Sequence, residues 1–261
     1  MKAILFDIDG VIYEGERPVP GASEVIDWVR DQDIPHLFVT NTSSRPRSAV
    51  ADKLARMGMR IPAEAILTPP VAAAERLRRE RPGPAALFVR QSTREDFEGV
   101  ELLDDEAESG AGAVVVGDLG ERWDYRALNR AFRLLMDDSG PRLIALGMTR
   151  YWKADDGLRL DTAPFVVALE HAASVKALVL GKPAVGFFRA ALEKLGAEPG
   201  ETLMVGDDVR GDIGGARRAG LHAMLVRTGK FRPADLEGDI EPDAVVDSIA
   251  DLPDWWLSRR R

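Results

Sequence analysis

The chain has 261 residues, which at a prior of about 150 residues per domain allows one large domain or two modest ones. Its 45% hydrophobic and 30% charged residues are typical of a globular protein and exclude the disordered, collagen-like and coiled-coil classes. The absence of cysteine excludes disulfides and thiolate chemistry, and the net charge of −8 disfavours a nucleic-acid backbone or an anionic membrane as main partner.

Short apolar runs rich in Val, Ile, Leu and Phe alternate along the chain with longer segments of helical periodicity. This alternation predicts βαβ units around a mainly parallel sheet. The predicted strands are residues 3–6, 36–40, 65–68, 86–89, 113–116, 143–146, 202–205, 223–226 and 244–246. The predicted helices are residues 23–30, 47–57, 71–80, 125–136, 164–173 and 185–195.

Two joints divide this series of elements. One is Thr68-Pro69-Pro70, and the other covers residues 175–182. The block between the joints has strands and helices of its own and is long enough to form a separate α/β unit inserted into the first. We therefore expect residues 1–70 and 177–261 to form one domain and residues 71–176 to form the inserted domain.

Acidic side chains follow two of the predicted strands at the point where each strand ends. Asp7 and Asp9 follow the first strand, and Asp207, with Asp208 and Asp212, follows the seventh. Ligands of open α/β sheets lie beyond the carboxyl ends of the strands. If Asp7, Asp9 and Asp207 converge there, their repulsion requires a cation, and an oxygen-only ligand set suits Mg²⁺. An acidic surface turn is the alternative interpretation.

Other metal sites fit the sequence less well. A calcium-binding loop needs an oxygen ligand at its fifth position and glycine at its sixth. The loop that begins at Asp7 has Val11 at its fifth position and Gly10 at its fourth, so it fails this test. The three histidines lack metal-ligand spacing, and we expect them to be structural or exposed.

Two further segments supply candidates for binding an anion. Thr40 ends the second predicted strand, and Asn41 follows it ahead of a helix. This placement suits a phosphate, although such clusters are mostly helix caps and turns. Lys182 lies between Gly181 and Pro183 ahead of a helix. It is either a solvated surface lysine or the cationic group that an anionic substrate needs on so acidic a chain.

These four segments, in this order, resemble the motifs of the haloacid dehalogenase superfamily of phosphotransferases. The motifs are Asp7-Ile8-Asp9-Gly10-Val11, Val39-Thr40-Asn41, Lys182 before Pro183, and Gly206-Asp207-Asp208 with Asp212. The resemblance covers the whole chain and implies an α/β fold, with a doubly wound parallel-sheet (Rossmann-like) core and an inserted α/β cap domain. It also implies a magnesium-dependent phosphatase that acts on a small phosphorylated substrate.

The resemblance further implies the roles of the acidic residues in the reaction. Asp7 attacks phosphorus and forms an aspartyl phosphate, and Asp9 protonates the leaving group and then activates water. Asp7, the main-chain carbonyl of Asp9, and Asp207 hold Mg²⁺. Haloalkanoic acid dehalogenases lack an acid matching Asp9, so its presence favours phosphoryl transfer.

The remaining motif residues are expected to bind and orient. Thr40, Asn41 and Lys182 bind the transferring phosphoryl oxygens. Asp208 and Asp212 orient the water ligands of the metal and the ammonium of Lys182.

Within the large-cap subfamily, residues 149–153, 156–158 and 162–166 most resemble the branch named for phospholysine, phosphohistidine and inorganic pyrophosphate phosphatase. The branch often has glycine where Ala163 stands. The substrate stays open among a small phosphorylated metabolite, pyrophosphate and a phosphoamino acid. Tyr151 and Trp152 either pack in the cap core, which we favour, or line the closure of the cap over the site.

Two other functions are compatible with the same motifs. One is a phosphomutase or phosphotransferase that passes the phosphoryl group to a sugar, and the other is a catalytically retired binding protein. The presence of both Asp9 and Lys182 argues against the retired site. The short apolar run at the amino terminus is broken by carboxylates, so we expect a cytoplasmic chain with no membrane partner. Exposure of the cap is compatible with a homodimer, although no motif requires one.

Overall fold

The computed structural model describes residues 1–154 and 156–259. Its strands are β1 Ala3–Asp7, β2 Tyr13–Glu14, β3 Arg17–Pro18, β4 His36–Val39, β5 Ile66–Leu67, β6 Ala85–Phe88, β7 Ala113–Val116, β8 Arg142–Ala145, β9 Tyr151–Ala154, β10 Gly157–Leu160, β11 Leu178–Val179, β12 Thr202–Gly206, β13 His222–Val226 and β14 Ala244–Val246. Its helices are α1 Ala22–Asp31, α2 Arg47–Arg56, α3 Pro69–Glu80, α4 Tyr125–Leu135, α5 Thr162–Ala173, α6 Val185–Leu195, α7 Gly215–Arg218 and α8 Leu252–Ser258.

Internal contacts divide the chain into two compact units. The first comprises residues 1–40, 48–67 and 182–261, and the second comprises residues 41–47 and 68–181. These units differ from the expected domains at residues 41–47, 68–70 and 177–181. At the last of these, β11 pairs in parallel with β8 and so joins the sheet of the second unit. The division into a catalytic domain of residues 1–70 and 177–261 and an inserted domain of residues 71–176 stays a prediction.

The first unit is built on a six-stranded sheet in the order β14-β13-β12-β1-β4-β5. All neighbouring strands in it run parallel. Every residue of β1 and β12 is buried, as expected for central strands of a parallel sheet that is covered on both faces. The strand order reverses between β1 and β12, and the crevice at such a reversal is where α/β sheets bind ligands.

The core of the first unit packs side chains from this sheet against helices. Phe6 of β1 stacks on Phe38 of β4, with ring centroids 5.5 Å apart, and both rings are fully buried. Helix α1 buries Val25, Ile26 and Val29, which follow the spacing of one helical face. This packing gives the carboxyl ends of the central strands a rigid support.

The second unit has its own four-stranded parallel sheet in the order β11-β8-β7-β6. Alternate residues of β7 pack into different clusters: Val114 and Val116 into one, and Ala113 and Val115 into another. Because successive strand residues point to opposite faces, both faces of this sheet are covered by apolar side chains.

An antiparallel hairpin, β9–β10, extends the second unit and carries exposed aromatic residues. Tyr151 and Trp152 are 51% and 44% exposed. The expectation that they pack in a core is therefore wrong, because they lie on a two-stranded hairpin whose other strand, β10, is exposed at every residue. Trp152 instead lines a cleft of about 950 Å³ within this unit.

Across the described residues, helices are too short and too polar for any of them to cross a bilayer.

Candidate active site

Four charged side chains meet at the crevice of the first unit. Asp7 ends β1, and Asp207 directly follows Gly206 at the end of β12. Asp212 lies in the helical turn Val209–Gly214, and Lys182 lies just before α6. All four are buried, with exposures of only 1–6%. The topology therefore brings together residues that are about 200 positions apart in the sequence.

The three carboxylates and the ammonium are in direct contact or nearly so. One carboxylate oxygen from each of Asp7, Asp207 and Asp212 lies within 4.8 Å of the others. Lys182 Nζ lies 2.6 Å from Asp7 Oδ1 and 2.7 Å from Asp212 Oδ1. Three carboxylates against one ammonium leave two surplus negative charges when all four groups are ionised.

Burial and this surplus charge together shift the pKa values of the carboxyl groups. Burial, together with the charge of Asp212, raises the pKa of Asp7 well above its usual value, although Lys182 acts in the opposite direction. Burial also raises the pKa of Asp207 to about 6, while a main-chain N–H of Lys230 opposes the shift. Carboxyl groups that resist ionisation in this way are stabilised as anions by an added cation.

Main-chain donors fix the orientation of the neighbouring acids. The Ile8 N–H donates to Asp7 Oδ1 over 2.8 Å. Asp208 Oδ1 accepts from the N–H groups of Arg210 and Gly211 and so caps the helical turn after β12. Burial would raise the pKa of Asp208, but these donors and the charge of Lys230 outweigh it and lower the pKa. The Asp208 N–H in turn donates to Asp212 Oδ2 over 3.1 Å.

The other predicted site residues lie in different environments. Asp9 is exposed in the turn after β1, and its carboxylate is not a member of the acidic cluster found among the described residues. Thr40 is buried at the end of β4, where its N–H donates to the Leu67 carbonyl. Asn41 is exposed and groups with the second unit. The predicted contacts of these three residues with substrate or metal stay predictions.

The segment after β13 also reaches the site, and its role was not predicted from the sequence. The Lys230 N–H donates to Asp207 Oδ2 over 2.7 Å, and Lys230 Nζ lies 3.5 Å from Asp208 Oδ2. Thr228 and Gly229 precede it; the first bonds Gly10 in the loop after β1, and the second bonds Glu14 of β2. A signal was available, because a predicted strand ends at Val226 and the same strand-end rule applies to the residues that follow it.

The chemistry of the cluster fits a hard divalent cation. Its donors are carboxylate oxygens only, which is the ligand type that Mg²⁺ prefers. Asp207 Oδ1 is buried and has no hydrogen-bond partner among residues 1–154 and 156–259. A buried carboxylate oxygen without a partner is costly unless a ligand satisfies it.

Comparisons with known proteins agree with this geometry. A family model for haloacid dehalogenase-like hydrolases matches residues 4–102, and a related HAD-hydrolase-like model matches residues 179–252. A phospholysine phosphohistidine inorganic pyrophosphate phosphatase of Xenopus laevis is 40% identical over 264 residues, covering 99% of this chain and 95% of that protein. The chain belongs to the haloacid dehalogenase-like hydrolase family.

Solved structures of the family have the same fold. A hypothetical protein from Pyrococcus horikoshii OT3 superimposes with a TM-score of 0.88 at 27% identity, covering 98% of this chain and 100% of that one. A p-nitrophenyl phosphatase from Archaeoglobus fulgidus gives 0.85 at 28% identity, covering 97% and 98%. The predicted family and its Rossmann-like core with an inserted α/β cap are confirmed, as is the prediction of an enzyme, a phosphatase of the haloacid dehalogenase type.

Proposed function

We propose that this haloacid dehalogenase-like hydrolase is a magnesium-dependent phosphatase that works through an aspartyl phosphate on Asp7. The observation that carries the proposal is the buried cluster in which Asp7 contacts Lys182 and lies close to two further carboxylates, Asp207 and Asp212. A buried carboxylate beside a fixed cation is a nucleophile placed where an anionic phosphoryl group can be bound.

The first half of the reaction transfers the phosphoryl group to the enzyme. A carboxylate oxygen of Asp7 forms a bond to phosphorus while the bond from phosphorus to the leaving group breaks, at oxygen in an ester or pyrophosphate and at nitrogen in phospholysine or phosphohistidine. Asp9, two residues further along the chain, donates a proton to that leaving atom. Lys182, Thr40 and Asn41 bind the non-bridging phosphoryl oxygens as charge redistributes among them.

The second half returns Asp7 to its carboxylate form. Asp9, now ionised, takes a proton from a water molecule whose oxygen attacks phosphorus. The bond between phosphorus and the Asp7 oxygen breaks, and inorganic phosphate leaves.

The residues that would hold Mg²⁺ are Asp7, Asp207 and the main-chain carbonyl of Asp9. Asp208 and Asp212 would orient its water ligands, and Asp212 would also orient Lys182. When bound, the cation offsets the repulsion between the Asp7 carboxylate and the phosphoryl oxygens.

The substrate is proposed to be a small phosphorylated metabolite, pyrophosphate or a phosphoamino acid. Support comes from the name of the Xenopus laevis relative, which specifies phospholysine, phosphohistidine and inorganic pyrophosphate, and from its near-complete coverage of this chain. A phosphate-release screen over these three classes, with p-nitrophenyl phosphate as a generic reference, will rank them.

The test of the mechanism is an Asp7→Asn variant assayed with p-nitrophenyl phosphate and Mg²⁺. Loss of the nucleophile is expected to lower kcat by at least about 10⁴-fold. Acid-quenched wild-type enzyme should carry hydroxylamine-sensitive label from a ³²P-labelled substrate on the peptide that contains Asp7, and the variant should carry none. Asp52→Asn, which changes an exposed acid on α2, is the control for charge and handling. Full turnover by Asp7→Asn would rule the mechanism out.

A further inference from the structure

The two oxygens of the Asp207 carboxylate have different environments. Oδ2 accepts a 2.7 Å hydrogen bond from the main-chain N–H of Lys230. Oδ1 is buried and lacks a hydrogen-bond partner within the described part of the chain. One oxygen is therefore held by the protein, and the other is left for a ligand.

Two glycines enclose the held oxygen. Gly10 has φ +86° and Gly229 has φ +63°, both in the left-handed region that favours glycine. A Cβ atom at either position would lie 2.0 Å from Asp207 Oδ2, a distance at which something must move. The backbones of the two loops therefore pack directly against the carboxylate and leave it little freedom to rotate.

Hydrogen bonds connect residues 228–229 to the loop after β1 and to strand β2. The Thr228 hydroxyl donates to the Gly10 carbonyl over 2.5 Å, and the Gly229 N–H donates to Glu14 Oε1 over 2.5 Å. The loop after β1 continues from Asp7 through Asp9. Residues 228–230 are thus bonded both to Asp207 and to the segment that directly follows the proposed nucleophile.

We propose that residues 228–230, here called the carboxylate clamp, are a positioning element that presents Asp207 Oδ1 to a divalent cation. The inference rests on the proposed function, since it assumes that the cluster binds such a cation. The main chain does the positioning: the N–H of Lys230 holds Oδ2, and Gly229 provides the close approach. Groups that orient a metal ligand in this way typically account for 10–100-fold in metal affinity.

The test measures binding of Mn²⁺, a spectroscopic substitute for Mg²⁺, from the electron paramagnetic resonance signal of the free ion. Gly229→Ala should bind Mn²⁺ at least ten-fold more weakly than wild type, because its new methyl group displaces the Asp207 carboxylate. Gly15→Ala is the matched control. Gly15 has φ +59° in a neighbouring loop but nothing within 4 Å of an added Cβ, so it carries the same backbone cost without the clash.

If Gly229→Ala does not fold, a second pair of variants tests the same proposal. Thr228→Val removes the hydroxyl that bonds Gly10 and should weaken Mn²⁺ binding, whereas Thr228→Ser keeps the hydroxyl and should restore it. Equal affinities for Gly229→Ala and Gly15→Ala, or for Thr228→Val and Thr228→Ser, would overturn the clamp and leave the proposed function intact. Wild-type protein that binds no Mn²⁺ would instead contradict the metal dependence of the proposed function.

Discussion

At Lys182, burial and ion pairing act in opposite directions on one ammonium group. Burial would lower the pKa of Lys182, but the carboxylates of Asp212 and Asp7 outweigh burial and raise it above the usual value. The lysine is therefore protonated at neutral pH. A permanent buried cation next to the nucleophile can stabilise the phosphoryl oxygens without proton exchange.

Replacement of this cation should reduce both catalysis and stability. We expect Lys182→Met to lower kcat/KM by at least about 10²–10³-fold, the scale for loss of one preorganised charge donor. In metal-free protein, the free energy of unfolding should fall by about 3–5 kcal/mol, because two buried carboxylates lose their partner. Urea unfolding in EDTA and steady-state kinetics measure the two effects.

The control for this prediction is Lys2→Met. Lys2 pairs with Glu201 over 2.7 Å, but the lysine side chain is 75% exposed. Exposed ion pairs contribute less than about 1 kcal/mol, so this variant should unfold like wild type. Near-unchanged kinetics for Lys182→Met would contradict the proposed role of Lys182 in binding the phosphoryl oxygens.

Single residues of the cluster could be proposed from the sequence because each follows a predicted strand. The strand-end rule pointed to Asp7 and Asp207, and the structure brings them together with Lys182. Asp212 was proposed only to orient other groups. The sequence could not show that its carboxylate lies in the same cluster as those of Asp7 and Asp207, since this depends on the helical turn after β12. It also could not show the main-chain donor at Lys230, because every residue type except proline has an N–H.

Secondary structure was predictable where hydrophobic periodicity was strong. All nine predicted strands and all six predicted helices occur, with shifts of one or two residues at most ends. For example, α5 begins at Thr162 instead of residue 164, because Asp161 caps it through the Thr162 N–H. The short hairpins β2–β3 and β9–β10 were missed, since strands of two to four partly polar residues carry too little periodic signal.

A helical turn outside the proposed site contains Asp96, an acid whose pKa is raised. Asp96, in the 3₁₀ turn Gln91–Phe97, is buried and accepts a 3.2 Å hydrogen bond from the N–H of Arg47, the first residue of α2. Burial raises the pKa of Asp96 to about 6, although the Arg47 N–H and guanidinium oppose the shift. The folded protein therefore binds a proton at Asp96 more tightly than the unfolded chain does.

The stability that Asp96 contributes therefore falls as the pH rises. The contribution of Asp96 to stability is complete below the ordinary value of 3.8 and is lost as the pH rises through about 6. The side chain of Asp96→Asn cannot titrate, so this variant does not lose that contribution. Between pH 4.5 and 7.5, the difference in free energy of unfolding, variant minus wild type, should therefore rise by up to about 2 kcal/mol, allowing for solvent screening. Urea unfolding of both proteins in EDTA measures this difference, and parallel curves would contradict it. Glu98→Gln, an exposed neighbour, should follow wild type at every pH.

On the scale of the whole molecule, each unit has a hydrophobic core of its own. One buried cluster, which includes Phe6, Phe38 and Trp256, belongs to the first unit. Two others, which include Phe88 and Phe97, belong to the second. The four charged groups of the cluster all lie in the first unit, so a cation bound there stabilises that unit directly.

Magnesium should therefore protect the two units unequally. A ligand present at 100 times its dissociation constant stabilises the state that binds it by about 2.7 kcal/mol. We expect Mg²⁺ to slow amide hydrogen exchange in β1 and β12 and to leave β6 and β7 unchanged, with EDTA reversing the effect. Equal protection of both sheets would contradict a cation site confined to the first unit.

The same experiment has a defined pH dependence. Cation binding requires ionised carboxylates, and the pKa values of Asp7 and Asp207 are raised, the latter to about 6. The protection by Mg²⁺ should therefore be greatest above pH 7 and shrink as the pH falls through about 6, because protons then compete with the cation. Asp207→Asn should lose most of the protection at every pH, when each protein is compared with its own metal-free exchange. Protection that is independent of pH, or that persists in Asp207→Asn, would place the cation elsewhere on the chain.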